Sequence, residues 1–141
     1  MNYSKLTDTD PDAGVWEIND SISRFEDLEC WELARKLCQM VHEASTGGTF
    51  AKDFALRDQI SRSSGSSMDN IVEGFDAGSN PEFIRFLGYA QRSCSEVQSQ
   101  LYRALDRQHI TQAEYDKLYE QAAHTRSKIG ALIRYLKNNQ R

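Results

Sequence analysis

The sequence predicts an all-α fold, an antiparallel up-and-down four-helix bundle, on three observations. From about Phe25 onward apolar side chains recur three and four residues apart, the period of a helix face. Breakers are rare, with 2 prolines and 8 glycines in 141 residues, and those near 47–48 and 78–81 fall between apolar runs. No stretch shows the convincing period-two alternation of a strand. Four amphipathic segments with short connections bury their stripes by packing antiparallel against their sequence neighbours. A mass of 16.1 kDa suits one such domain with a continuous core.

Composition divides the chain into an arm at 1–23 and a bundle domain at 24–141. The arm is rich in Asp, Thr and Ser, carries Pro11 and Gly14, and has too few clustered apolar groups to offset the entropy of ordering, so it is expected to be flexible. The alternative is that Val15, Trp16 and Ile18 dock it on the body or on a neighbouring subunit.

The first helix is expected from roughly Phe25, with Leu28, Trp31, Ala34, Cys38 and Val41 on one face and Leu33, Leu37 and Met40 widening it, ending at Gly47-Gly48. A second is expected from near Lys52 to Phe75 through Phe54, Leu56, Ile60, Ser64, Ser67 and Ile71. Its centre, Ser63-Ser64-Gly65-Ser66-Ser67, is poor helix former, so helicity there requires tertiary packing with hydroxyls bonded to backbone carbonyls; a loop splitting the helix is the competing reading. The third has Asn80 as cap, Pro81 at the first position and Glu82 in the first turn, then a seam of Phe83, Leu87, Ala90, Cys94, Val97, Leu101 and Ala104. The fourth opens with a capping box, Thr111 and Glu114, and continues through Tyr115, Leu118, Ala122, Thr125, Ile129, Leu132 and Leu136.

Charge is unevenly spread. Residues 1–30 carry 2 basic and 8 acidic groups, whereas 117–141 carry 6 basic groups against the single acid Glu120. Arg126, Lys128, Arg134, Lys137 and Arg141 are therefore the candidate polyanion-binding residues, facing an acidic protein partner, the chain's own acidic arm, or nucleic acid. Tyr102, Tyr119 and Tyr135 have packing-compatible spacings and do not by themselves make a base-stacking platform.

Several chemistries lack their residues. Cys30, Cys38 and Cys94 match no paired metal or redox spacing and read as free thiols, which together with the absence of a leader or anchor pattern points to the cytoplasm. No 18-residue apolar run suits a membrane span. Cys38 and His42 supply only two metal ligands, His109 and His124 read as solvated, and no Glu-x-x-His pair accompanies Glu73 and Glu96, so neither metal nor cofactor is expected. A carboxylate-metal enzyme centred on those two glutamates is the remote alternative.

The blocks Phe25-x-x-Leu28-x-x-Trp31, Leu56-Arg57-Asp58-Gln59-Ile60, Asn70-Ile71-Val72-Glu73-Gly74-Phe75, Glu82-Phe83-Ile84-Arg85-Phe86-Leu87 and Ala90-Gln91-Arg92-Ser93-Cys94-Ser95-Glu96 together resemble the bacterial four-helix-bundle family named for 23S ribosomal RNA intervening sequences, over about Phe25 to Leu136. The resemblance implies a small homo-oligomer, typically a five-subunit ring, with no established enzyme activity. Related retroelement accessory proteins use a strongly basic ring thought to contact nucleic acid, and the net charge of −4 here departs from that subgroup. Gln59, Arg62, Asn70, Glu73, Gly74, Ser93 and Glu96 match the family pattern. Of these, Gln59, Arg62, Asn70, Glu73 and Glu96 are expected to form a polar network or subunit interface, with Arg62 or Asn70 meeting an acid such as Asp69 within one or two helical turns.

Overall fold

The computed structural model describes residues 23–139 and, in the N-terminal stretch, the backbone of 3–5 and 16–18. Four helices dominate: α1 (Glu29–Ser45), α2 (Phe54–Phe75), α3 (Asn80–Asp106) and α4 (Gln112–Asn138). Each packs against its sequence neighbours and α4 closes back on α1, which makes the up-and-down bundle. Short 3-10 turns at Phe25–Asp27 and Phe50–Lys52 precede α1 and α2. Outside the bundle, strands β1 (Tyr3–Lys5) and β2 (Trp16–Ile18) pair antiparallel, Tyr3 opposite Ile18 and Lys5 opposite Trp16, a ladder too short to show as alternation in the sequence. The rest of the expected arm, its flexibility and any docking by the Trp16 side chain lie outside the described residues.

Local chemistry sets the helix boundaries, with three departures from the sequence reading. α1 starts at Glu29, because Phe25–Asp27 wind as a 3-10 turn that buries Leu28 completely and sets the Phe25 ring edge-on to Trp31 at 5.1 Å. The cap of α3 is Ser79, whose Oγ accepts from the Glu82 amide at 3.3 Å; Asn80 is the first helical residue and its amide reaches the Asn139 carbonyl at the end of α4, 3.3 Å away. Phe54 does not enter the core: it is 64% exposed with the Arg57 guanidinium over its ring, because Asp53 caps α2 and starts the inward stripe at Leu56. The capping box of α4 forms as read, Thr111 N donating to Glu114 Oε1 at 2.9 Å and Glu114 N to Thr111 Oγ1 at 3.1 Å.

One hydrophobic core runs the length of the bundle, led by Leu28, Leu37, Phe50, Leu56, Ile60, Ile71, Phe83, Leu87, Leu101 and Ile129. On α1 the buried face is Cys30, Ala34, Leu37 and Val41, turned by one position from the expected stripe, so that Trp31 and Cys38 sit at its half-buried edges. The α3 and α4 seams match the expected positions. α2 is continuous through its serines: Ser64 Oγ donates to the Ser61 carbonyl at 3.1 Å and Ser67 Oγ to the Ser64 carbonyl at 2.6 Å, which spends their hydroxyls within the helix and disposes of the split-helix reading.

Candidate functional site

Small residues bring α2 and α3 together. At one end Gly74 is buried, and a Cβ there would lie 2.8 Å from Phe83 Cδ1 and 2.9 Å from Phe86 Cβ. In the middle Ser93 Oγ donates to Ser66 Oγ at 2.9 Å and lies 3.1 Å from the Tyr89 carbonyl. Asn70 Nδ2 donates to the carbonyl and the hydroxyl of Ser66, both at 2.9 Å. Asn70 thus bonds to a serine of its own helix rather than to an acid, and no hydrogen bond among the described residues joins it to Gln59, Arg62, Glu73 or Glu96. Along the same contact Ser66 and Asn70 of α2 meet Ser93 of α3, and nearer the start of α2 Gln59 and Arg62 lie beside Glu96.

Toward the start of α2 this contact opens into a hollow of about 280 Å³ lined by Gln59, Arg62, Ser63, Glu96, Gln100 and Arg103. Three of the five network candidates, Gln59, Arg62 and Glu96, thus meet in one place. Gln100 forms the floor: it is 8% exposed, its Nε2 donates to Ser63 Oγ at 3.0 Å, and its Oε1 is buried without a hydrogen-bond partner among the described residues. A buried carbonyl oxygen left unpaired costs about 1–3 kcal/mol, so this side chain is held at some cost to the packing of α2 against α3. No ion pair joins Arg62, Arg103 or Glu96 to another group among the described residues. Gln100 and Arg103 were not singled out from the sequence, although their register with Ser93 and Glu96, at spacings of three and four, marks the same stripe.

The other predicted residues separate. Glu73 is exposed and eleven residues beyond Arg62 on α2, about 16 Å along the helix axis, whereas Glu96 stands opposite Arg62. The two glutamates cannot share an ion, and among the described residues no group of three His, Cys, Asp or Glu side chains is placed to hold one. That geometry overturns the carboxylate-metal alternative. On α4, Arg126, Arg134 and Lys137 are exposed on one face. Lys128 departs from them, since its side chain is buried and its Nζ lies 3.7 Å from Glu29 Oε2 of α1, tying the two helices instead of facing solvent. Arg141 lies outside the described residues.

At the end of the bundle where α1 meets α2 and α3 meets α4, His109 is not solvated as its position in a turn suggested. Gln108, in the left-handed region at φ 59°, ends α3 and turns the chain so that the His109 ring stacks on Phe50 at 5.3 Å. Asp53 Oδ2 lies 2.9 Å from His109 Nε2 and accepts from Arg107 Nη1 at 2.8 Å, while His109 Nδ1 lies 2.8 Å from Thr49 Oγ1. These bonds, that from His109 foremost, hold the Asp53 carboxyl down at about 2. The order hydroxyl, imidazole, carboxylate imitates a nucleophile relay. Here, however, Arg107 donates to the same carboxylate oxygen, and the bonds among Thr49, Asp53, Arg107 and His109 clasp the α1–α2 connection to the α3–α4 connection. The thiols offer no alternative nucleophile: burial pushes Cys30 and Cys94 up to about 12, and burial also raises Cys38. Of the tyrosines read as packing-compatible, Tyr102 and Tyr119 do pack on one another, joined by Tyr115, with ring centres 5.2–6.0 Å apart.

Among the described residues no helix is long and apolar enough to cross a membrane. No curated protein matches the chain. Among solved structures it is similar to a protein of unknown function from the S23 ribosomal protein family of Bacteroides thetaiotaomicron, with 22% identity, a TM-score of 0.69, and coverage of 74% of this chain and 95% of that one, a likeness of fold. The model of the 23S rRNA-intervening sequence protein family matches residues 26–131, which takes in α1, α2, α3 and the greater part of α4. The chain belongs to the 23S rRNA-intervening sequence protein family.

Proposed function

We infer that this protein is a non-enzymatic interaction or scaffold module of the cytoplasm that works as a homo-oligomer, with five copies favoured. The observation that carries this reading is the apolar surface left over once the bundle core is complete. Phe54 is 64% and Tyr102 52% exposed, and Trp31, Met40, Ile84, Ile133 and Tyr135 are only partly covered. Self-association would bury that surface through a symmetric interface. The absence of an activated nucleophile or a ligand cluster among the described residues supports a binding role over a catalytic one. Native mass spectrometry or sedimentation at micromolar concentration tests the assembly: a closed oligomer is expected, and a folded monomer overturns it.

A second reading, an RNA- or DNA-binding accessory, rests on the exposed face of Arg126, Arg134 and Lys137. It requires binding that weakens steeply with salt. Comparing the full chain with a form starting at Ser23 over a salt series tests it and shows whether the acidic arm competes for that face. No salt-sensitive binding by either form removes this reading.

A further inference from the structure

We propose that the N-terminal arm, residues 1–22, folds back in its own chain onto the outer face of α4 around Ala131. Ala131 stands about 200° around the helix from Ile129, which lies in the core, and so points away from the bundle. Glu120, His124, Ser127 and Asn138 share that outward face and are exposed. Ala131 is only 7% exposed, yet it is not part of the hydrophobic core cluster. With Lys128, Ile129, Gly130 and Leu132 it makes a run of consecutive buried residues, so α4 is covered all round at this level. Three sides are accounted for. The core holds Ile129 and Leu132, Glu29 of α1 meets Lys128 at 3.7 Å, and Gln91 of α3 fills the space beside Gly130. The outward side takes its cover from outside the four helices.

The arm is the segment placed to supply that cover. The Glu29–Lys128 pair and the 3.0 Å bond from Gln121 Nε2 to the Leu33 carbonyl set the start of α1 beside this level of α4. The turn at Phe25–Asp27 packs mainly on α1 and α2, which leaves the cover to residues further back. β2 precedes Glu29 by eleven to thirteen residues. At up to about 3.3 Å per residue, a connection of that length exceeds the roughly 10–12 Å width of a helix. Charge agrees: residues 1–22 carry Asp8, Asp10, Asp12, Glu17 and Asp20 against Lys5 alone, whereas α4 beyond Glu120 carries Arg126, Lys128, Arg134 and Lys137 and no acid. Val15, Trp16 and Ile18 give the arm an apolar cluster to set against Ala131. Tethering holds the arm at an effective concentration on the order of millimolar, so individually weak contacts suffice. Docked there, the arm is a built-in competitor for any polyanion at Arg134 and Lys137; this consequence alone rests on the nucleic-acid reading above.

Trp31→Phe leaves Trp16 as the sole tryptophan of the full chain, so its fluorescence reads docking with no nucleic acid present. Blue-shifted emission, poorly quenched by acrylamide, is expected. Adding Ala131→Arg is expected to shift the emission to the red and speed quenching, with the far-ultraviolet circular dichroism of the bundle unchanged because Ala131 lies outside the core cluster. A second measurement uses the parent chain, refolded from a mixture of unlabelled and heavy-isotope-labelled protein and treated with a carbodiimide. Mass spectrometry is expected to find arm carboxylates coupled to Lys137 in products of a single isotope, formed within one chain. Water-like Trp16 emission before Ala131→Arg is added, or emission that Ala131→Arg leaves unchanged, overturns the proposal. Main products of mixed isotope, which put the arm on a neighbouring copy, overturn it as well, as does the lack of any product joining the arm to α4.

Discussion

Replacing Gly74 with alanine sets two effects of opposite sign against each other, and the structure decides between them. Within a helix, alanine is favoured over glycine by up to about 1 kcal/mol. At Gly74, however, the new methyl would sit 2.8 Å from Phe83 Cδ1, 2.9 Å from Phe86 Cβ and 3.2 Å from the Phe83 carbonyl oxygen. Two of these atoms move only with the α3 backbone and the third belongs to a fully buried ring, so relief requires α3 to shift away from α2. Overpacking of this kind costs roughly 1–3 kcal/mol, and contacts this rigid place it at the upper end, for a net loss of about 2 kcal/mol. Gly65, in the interior of the same helix, has nothing within 4 Å of its would-be Cβ, so Gly65→Ala keeps the propensity gain and stabilises by about 0.5–1 kcal/mol. For a domain of this size the two variants should move the thermal midpoint in opposite directions, by about 6 °C down and about 2 °C up. Thermal and urea denaturation at one fixed protein concentration measure both, because an oligomer's midpoint depends on concentration. A Gly74→Ala protein as stable as the parent would refute the claim that α2 and α3 are held at backbone-contact distance there.

The Asp53 clasp gives a pH signature. The folded carboxyl titrates at about 2 against an ordinary value of 3.8, so its contribution is complete above roughly pH 4 and fades as pH falls toward 2. Asp53→Asn should therefore be less stable than the parent at neutral pH, and the gap between their urea midpoints should narrow through that acid window; a gap independent of pH refutes the linkage. Lys128 tests the internal ion pair: Lys128→Ala removes both the cation beside Glu29 and a packed aliphatic stem, for a loss of about 2 kcal/mol, while Lys128→Met keeps the stem and should lose about half of that. Denaturation midpoints of the two variants within about 0.5 kcal/mol of the parent would return Lys128 to the solvent-facing basic surface.

The bundle was legible because its signals are local and periodic. Seams such as Phe83, Leu87, Ala90, Cys94 and Val97 repeat at helical spacing whatever they pack against, and the Thr111–Glu114 box closes within one turn. Where two adjacent residues compete for one role, periodicity is weaker. Ser79 rather than Asn80 caps α3 because Asn80 is drawn to the far end of α4, and Phe54 stays outside because the cap at Asp53 fixes the phase of α2.

The sequence by itself determined four amphipathic helices, their order, and the core seams of α3 and α4. Tertiary structure alone decided which polar residues meet. Gln59, Arg62 and Glu96 come together with Gln100 and Arg103 because α2 and α3 run antiparallel at close range, and the same geometry carries Glu73 away from them. It also turned Lys128 inward onto Glu29 and brought His109 onto Asp53 and Phe50 across connections more than fifty residues apart in the chain. Helix periodicity is written in neighbours three and four apart, whereas charge pairing and cavity lining depend on the relative rotation of whole helices, which no single segment encodes.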